Sequence, residues 1–529
     1  MDEKSRVARA TGVIGGATLL SRIFGYARDM IMAAFLGAGL VSDAFFVAFT
    51  IPNLLRRLFA EGALTVSFIP VFTDYLQNRG RAEAFALARS ALRLLSVILL
   101  AVTLAGILFS PLIVHIIGWG WVAEQPDKVA AAVTLTRLMF PYVLLVCLVA
   151  LCMGILNALG HFAAPALSPV LLNAAMIIAL VGLSLVSDDS LLRAKGLAWG
   201  VVAGGVMQLA LQLPYLVKAG LRFWERAPLF HPGLGKIAWL MLPAVFGAAV
   251  YQVNIIVGRV LATLLPEGSV SSLYYADRLI QFPLGVFAVS TAMAVLPSFS
   301  RQAANGNQEA IADTLGYSLR LTFFITLPAM TGLIVLRQPI VALLFERGHF
   351  DAAAVSMTAR ALLFYALGLW AAAAGRIVIS VFFALSDTRT PVRIAAMAAL
   401  TNIVFSLALM GPLAHGGLAL ATSLAAVLNF GLLMQALRTR LESLRLRPLC
   451  VSVTKSAVCS GLMGLMVWYF YQWVVPTDGG RIGLSLTALA AIGLGLACYL
   501  FFAYIGRCDE LNGLVMAFKR RFGPNENRS

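Results

Sequence analysis

Fifty consecutive residues, 138–187, contain no Asp, Glu, Lys or Arg. About 20 apolar residues in a helix span a hydrocarbon core, so this run holds two crossings, divided near Pro165. Further charge-poor runs at 94–123, 196–217, 237–258, 279–300, 321–336 and 361–375 hold one crossing each. Residues 394–437 hold two, divided near Pro412, and 456–477 and 482–506 close the series. Two more are read at 10–36 and 42–76, the second interrupted by Pro52. The expectation is an all-α polytopic membrane protein of fourteen transmembrane helices. Composition agrees: only 12% of residues are charged, against about 25% in soluble domains.

An even number of crossings puts both termini on one side. Loops on that side carry twenty-four Lys and Arg, and the opposite loops carry six: Lys128, Arg193, Lys195, Arg337, Arg347 and Arg481. Basic residues concentrate in cytoplasmic loops, so both termini are expected in the cytoplasm. The same bias accounts for the net charge of +16, and no nucleic-acid partner is expected. The six cysteines include no CxxC pair, so neither a disulfide framework nor a zinc site is indicated. The N-terminal stretch lacks the short apolar core and small-residue cleavage site of a signal peptide. It is expected to be retained and to lead into the first span.

The chain repeats itself. Ser90-Ala91-Leu92-Arg93-Leu94 is answered by Tyr317-Ser318-Leu319-Arg320-Leu321, and Ile69-Pro70-Val71-Phe72 by Leu296-Pro297-Ser298-Phe299, both at an offset of 227. Ala158-Leu159 before Pro165 is answered by Ala384-Leu385 before Pro391 at 226, and Gly196-Leu197-Ala198 by Gly417-Leu418-Ala419 at 221. A unit of about 225 residues and six helices keeps its orientation when duplicated, as in transporters whose halves face one another across a substrate site. The expected organisation is an N-lobe at 1–220, a C-lobe at 221–440, and two extra helices with a tail at 441–529.

The chemistry concentrates in residues 21–61. Arg22, Arg28, Arg56 and Arg57 lie there among membrane-type sequence. One arginine near a bilayer centre costs about 2.5–3.5 kcal/mol on insertion scales, so this cluster points to a polar cavity and an anionic guest. A guanidinium matches phosphate oxygens in a two-pronged fork and stays charged, which suits a diphosphate. Asp29, Asp43 and Glu61 are nearby acids able to pair with the arginines, and Arg56 and Arg57 also fit snorkelling or structural ion pairs. Six residues separate Arg22 and Arg28, about 240° around a helix, so a shared cavity requires a bend, and Gly25 stands between them. In the second repeat, Tyr274-Tyr275-Ala276-Asp277-Arg278 falls where the duplication places the second helix. Arg278 is a candidate to face the same guest, with Asp277 as its counter-charge or as a separate acid. Arg259 and Arg376 rank below these. Prolines 52, 243, 283 and 328 are candidate hinges.

No GxxxxGK[ST], HExxH or clustered acidic loop motif occurs, so no enzyme activity, cofactor or bound metal is expected. Transport would draw on the membrane potential, an ion gradient, or substrate supply and removal.

Ser21-Arg22-Ile23-Phe24-Gly25-Tyr26-Ala27-Arg28-Asp29, Asp43-Ala44-Phe45-Phe46-Val47-Ala48-Phe49, residues 52–62 and Tyr274–Leu279 closely resemble the MurJ/MviN family. These are lipid II flippases of the MOP exporter superfamily, and the resemblance covers nearly the whole chain. It implies a bacterial inner-membrane protein with two six-helix lobes. Its substrate would be undecaprenyl-diphosphate-linked MurNAc-pentapeptide-GlcNAc, moved from the cytoplasmic to the periplasmic leaflet, with the cell-wall synthesis machinery as a further expected partner. By motif match Arg22, Arg28 and Arg278 would hold the diphosphate, with Arg56 beside them. Asp29, Asp43, Arg57, Glu61 and Asp277 would serve gating or structural ion pairs. Helices thirteen and fourteen would form a groove for the polyprenyl tail. Where some relatives carry a sodium-linked acid or amide, this chain has Gly258. Competing readings are a flippase for another polyprenyl-diphosphate oligosaccharide, a multidrug or cation antiporter of the same superfamily, and a polyprenyl-phosphate enzyme. An antiporter should line its cavity with carboxylates, whereas intramembrane arginines outnumber acids here. The enzyme lacks its metal-binding loop acids.

Overall fold

The computed structural model describes residues 3–57, 64–226, 228–441, 446–474 and 480–513. Their regular structure is helical throughout, with no strand among them. The first half runs α1 (Glu3–Leu36), α2 (Leu40–Leu55), α3 (Leu64–Asn78), α4 (Arg81–Leu108), α5 (Ser110–Ile117), α6 (Pro126–Met139), α7 (Pro141–Ala158), α8 (Ala163–Ser184) and α9 (Ser190–Lys218). The second runs α10 (Pro232–Thr263), α11 (Ser269–Pro283), α12 (Val289–Ala304), α13 (Gln308–Val335), α14 (Arg337–Phe345), α15 (Ala352–Ala366), α16 (Leu369–Ala384), α17 (Arg389–Leu413) and α18 (His415–Arg438). Then come α19 (Leu446–Val474) and α20 (Gly480–Ile505).

Local chemistry sets many of the starts. Proline opens α5, α6, α7 and α10 in the first turn, where its missing N–H costs nothing. Side chains of Asp189, His231 and Asn307 accept first-turn amides of α9, α10 and α13, the usual N-cap bond. Pro283 closes α11, and residues 284–288 form a π-turn before α12.

The repeat read from sequence is written into these boundaries. Both ends of α13 lie 227 residues beyond the ends of α4. Gly80 and Gly306 are 226 apart and both sit at positive φ, +87° and +65°. Gly160 and Ser386 are also 226 apart, at φ +80° and +58°. Each ends its helix in the same way: His161 N donates to Leu156 O at 2.8 Å, and Asp387 N to Phe382 O at 2.9 Å. This is the six-to-one bond of a Schellman cap, which needs a left-handed residue. Packing repeats too. Within the first half α8 packs on α9, α7 on α9 and α3 on α7; within the second, α17 packs on α18, α16 on α18 and α12 on α16.

Two compact units result. The first comprises Met1–Ser271 together with Arg347–Asp351, and the second Ser272–Glu346 with Ala352–Ser529. Packing and repeat therefore part company at α10. Its counterpart α1 packs on α8, whereas α10 packs on α3, α4, α5 and the short turn at 119–121. Gly120 permits that contact, because a Cβ there would stand 2.3 Å from the Thr263 carbonyl oxygen. In the second unit α19 lies against α13, so close at Gly464 that a Cβ would meet the Thr331 methyl at 2.6 Å. Tyr499 on α20 donates its buried hydroxyl to Phe324 O at 2.6 Å.

Ten helices among the described residues are long and apolar enough to cross a membrane, or eleven with the bent pair α15–α16, whose halves meet at 44°. The chain is therefore a multi-pass membrane protein. The three remaining expected crossings coincide with α1, with α2 and α3, and with α10. Of these, α2 and residues 252–263 count only as shorter apolar helices.

Candidate functional site

The helix α1 runs unbroken through Gly25, and its two arginines meet different surroundings. Arg28 is 8% exposed and Asp29 0%. The Arg28 guanidinium donates to Asp29 Oδ1 from Nη2 at 2.6 Å and from Nε at 3.0 Å. From Nη1 it reaches Asn173 Oδ1 on α8 at 3.0 Å and Met176 Sδ at 3.9 Å. Asn173 is itself buried, and its amide donates to Ser21 O at 3.3 Å. Removing one partner from a buried ion pair typically costs about 3–5 kcal/mol, because the other charge is stranded. Arg28 is thus both a charge inside the unit and part of the joint between α1 and α8. Arg22 is half-buried and has no hydrogen-bond or ion-pair partner among the described residues. The 240° between the two side chains is realised as one arginine turned into α8 and one left unneutralised.

At the end of α2, Arg56 donates to Asn53 Oδ1 from Nε and Nη2 at 3.2 and 3.1 Å. Arg57 beside it is half-buried. Glu61 lies outside the described residues. Arg278 and Asp277 sit on α11 in the second unit, Arg278 half-buried and Asp277 exposed, with Gln281 Nε2 3.4 Å from Asp277 Oδ1. Arg259 is half-buried near Val270 O, and Arg376 is half-buried within α16.

Asp43 is held by four hydrogen bonds from three residues. It lies in the first turn of α2, 1% exposed. Its Oδ2 receives Lys128 Nζ at 2.8 Å and Gly268 N at 2.9 Å. Its Oδ1 receives Ser271 N at 2.8 Å and the Ser271 hydroxyl. One carboxylate therefore closes three helix starts. The amides of Gly268 and Ser271 belong to the opening of α11, where a negative charge is favoured by the helix dipole. Glu267 Oε1 adds to the joint by accepting Leu40 N at 2.6 Å.

Sequence reading placed Lys128 and Arg193 among loop cations. Lys128 is instead 1% exposed, in the first turn of α6, where the dipole disfavours a cation. Asp43 and the face of Trp121, 4.5 Å from the ammonium, compensate it. Arg193 is 4% exposed and bonded to Ser187 O, Asp188 and His349. Asn173 carried no signal in the sequence at all. The bonds Lys128–Asp43, Arg193–His349 and Arg28–Asn173 join residues 85, 156 and 145 positions apart, so no local spacing announces them. Among the described residues no cluster of three or more His, Cys, Asp or Glu is arranged to hold a metal.

Comparison with known proteins agrees with this layout. Residues 32–479 match the family described as Lipid II flippase MurJ. A probable lipid II flippase MurJ of Vibrio cholerae is 36% identical over 502 residues, covering 94% of this chain and 95% of the relative. A solved structure described as Lipid II flippase MurJ, inward closed conformation, superposes with a TM-score of 0.79 at 26% identity, covering 93% of this chain and 98% of that one. An inward-facing multidrug resistance MATE family transporter of the MOP superfamily shares the fold at a TM-score of 0.67 and 16% identity, over 80% of this chain and 95% of that one. A family match over most of the chain and a relative matched nearly end to end make this chain a member of the MurJ lipid II flippase family.

Proposed function

We propose that this protein moves the lipid-linked peptidoglycan precursor, lipid II, from the cytoplasmic to the periplasmic leaflet of the bacterial inner membrane. The observation that carries the proposal is the charge balance of α1. Arg28 is neutralised by Asp29, while Arg22, half-buried in a membrane-type helix, has no partner among the described residues. A cation held at that depth favours an anionic guest, and a diphosphate supplies two or more acceptors to a guanidinium fork. In this reading Arg22 and Arg278 bind the diphosphate, with Arg28 and Arg56 shaping its approach. The helices form fourteen crossings in two six-helix lobes with both termini cytoplasmic, as the basic-residue bias indicates. Helices α19 and α20 carry the polyprenyl tail. Access alternates between the two leaflets, and Asp43 holds the α11 opening in one of the states. Motion draws on the membrane potential or an ion gradient.

The test is binding. The purified protein in lipid nanodiscs is titrated with lipid II and with undecaprenyl monophosphate. Wild type should prefer the diphosphate, and Arg22→Ala should weaken lipid II binding about tenfold or more, as expected for a lost charge-assisted contact of about 1.5–3 kcal/mol. Equal binding of both lipids, or full affinity in Arg22→Ala, contradicts the proposal. An antiporter reading has no support of this kind, since no unpaired buried carboxylate stands beside these arginines among the described residues.

A further inference from the structure

Segment 347–351 belongs to the first compact unit, although α14 and α15 on either side of it belong to the second. Main-chain contacts hold it against the end of α1. His349 N donates to Ala34 O at 2.9 Å. Gly348, at φ +56°, comes so close that a Cβ would lie 2.2 Å from Ala34 O. From the other side, a Cβ on Gly37, at φ +65°, would lie 2.5 Å from His349 O. Two left-handed glycines thus bring the two backbones together with no room for a side chain.

One side-chain contact completes the joint. Arg193 Nη1 stands 3.1 Å from His349 Nε2. Arg193 is 4% exposed and fixed on its other faces: Nε donates to Ser187 O at 2.9 Å, Nη2 to Asp188, and the guanidinium carbon stands 5.6 Å from the Phe35 ring centroid. A guanidinium has no acceptor and keeps its protons. Nε2 must therefore be the acceptor, and the imidazole in this joint is neutral with its proton on Nδ1. His349 itself is exposed to solvent.

We infer that this pair is a proton-operated clasp on segment 347–351. A proton arriving at Nε2 turns the acceptor into a donor that faces an immobile guanidinium. The hydrogen bond is lost and two positive charges are left 3.1 Å apart. Other charged groups stand around the imidazole, but none lies between it and the guanidinium it faces. From α9 comes Arg193, and from the turn before it Asp188, whose carboxylate is engaged by Arg193. Ala34 and Phe35 at the end of α1, and Gly37 just after it, carry no charge. The segment and its edge bring Glu346, Arg347 and Asp351, one cation among two acids. Imidazoles change charge between about pH 5 and 8, so mild acid on this side releases the strap and neutral pH closes it. The inference rests on this geometry alone and stands apart from the identity of the transported lipid.

The test is hydrogen–deuterium exchange on the full-length protein in lipid nanodiscs, at about pH 5.5 and about pH 7.5, on either side of the imidazole range. Rates for peptides covering 346–351 are corrected for the intrinsic pH dependence of exchange. Wild type should exchange about tenfold faster at the lower pH. His349→Gln, whose carboxamide oxygen accepts a hydrogen bond without titrating, should stay protected at both values. His349→Ala should lose protection at both. Equal wild-type protection at the two values, an acid response surviving in His349→Gln, or full protection in His349→Ala would each overturn the clasp.

Discussion

A charge inside a membrane-spanning bundle persists only with a partner or a purpose, and both cases occur here within two turns of one helix. Arg28 has its partner in Asp29 and its place from Asn173. Arg22 has neither among the described residues. Loss of function in Arg28→Ala would therefore mix a lost substrate contact with a stranded Asp29, whereas Arg22→Ala isolates the first effect. The Asp43–Lys128 pair gives a second residue-scale expectation. Both side chains are 1% exposed, and truncating one alone should cost about 3–5 kcal/mol. Lys128→Met and Asp43→Asn should each lower stability by that order, and the double variant by clearly less than the sum. A denaturant or thermal unfolding series on the four proteins measures the coupling, and strict additivity would show that the pair does not act as one. Neither Lys128 nor Arg193 was legible as a buried cation, because the carboxylate of one is 85 positions away and the imidazole partner of the other 156. The arginines of α1 were legible because they fall, with Arg56 and Arg57, within residues 21–61 of a chain only 12% charged.

At the scale of elements, the duplication is clearest in the turns. Gly160 and Ser386 occupy the same left-handed cap 226 residues apart, but only the first has the residue type that conformation favours. Ser386→Gly should raise stability by up to about 1 kcal/mol, and Gly160→Ala should lower it by about 1 kcal/mol or more. Thermal unfolding of the two variants against wild type checks both signs. Asp387, next in the chain, compensates the second turn. Its carboxylate accepts the Thr390 hydroxyl at 2.6 Å, the Thr390 and Arg389 amides at 3.0 Å, and Arg440 at 2.6 Å. These bonds, those from Thr390 first, hold its pKa below the ordinary aspartate value. A depressed carboxylate contributes stability above its unfolded pKa and loses it as pH falls through the folded one. Wild type should therefore lose more stability than Asp387→Asn between about pH 6 and about pH 3, a range that brackets the carboxylate titration. Equal losses would show that the turn does not depend on the ionised side chain. The sequence displayed the repeat through short matches at nearly constant offset. It did not display the departure of α10, because the close meeting of Gly120 and Thr263 joins residues 143 positions apart.

For the whole molecule, charge-free runs carried most of the architecture. Ten crossings, or eleven with the bent α15–α16 pair, meet the criterion of length and hydropathy. The exceptions, α1, α2 with α3, and α10, include the helices of Arg22, Arg28, Pro52 and Pro243, whereas Arg278 lies in a span that meets the criterion. Polar residues within a helix lower its span signal, which is why the arginine-bearing α1 falls outside the criterion. The family match makes the chain a member of the lipid II flippase family, and the proposal to be tested is that Arg22 and Arg278 each contact the diphosphate. The most direct measurement is leaflet transfer of labelled lipid II in liposomes containing the purified protein. Wild type should move the lipid to the opposite leaflet, and Arg22→Ala and Arg278→Ala, folded and inserted at normal levels, should not. Transfer by either variant at the wild-type rate, or a wild-type protein that leaves lipid II where it began, would contradict that role for the arginines.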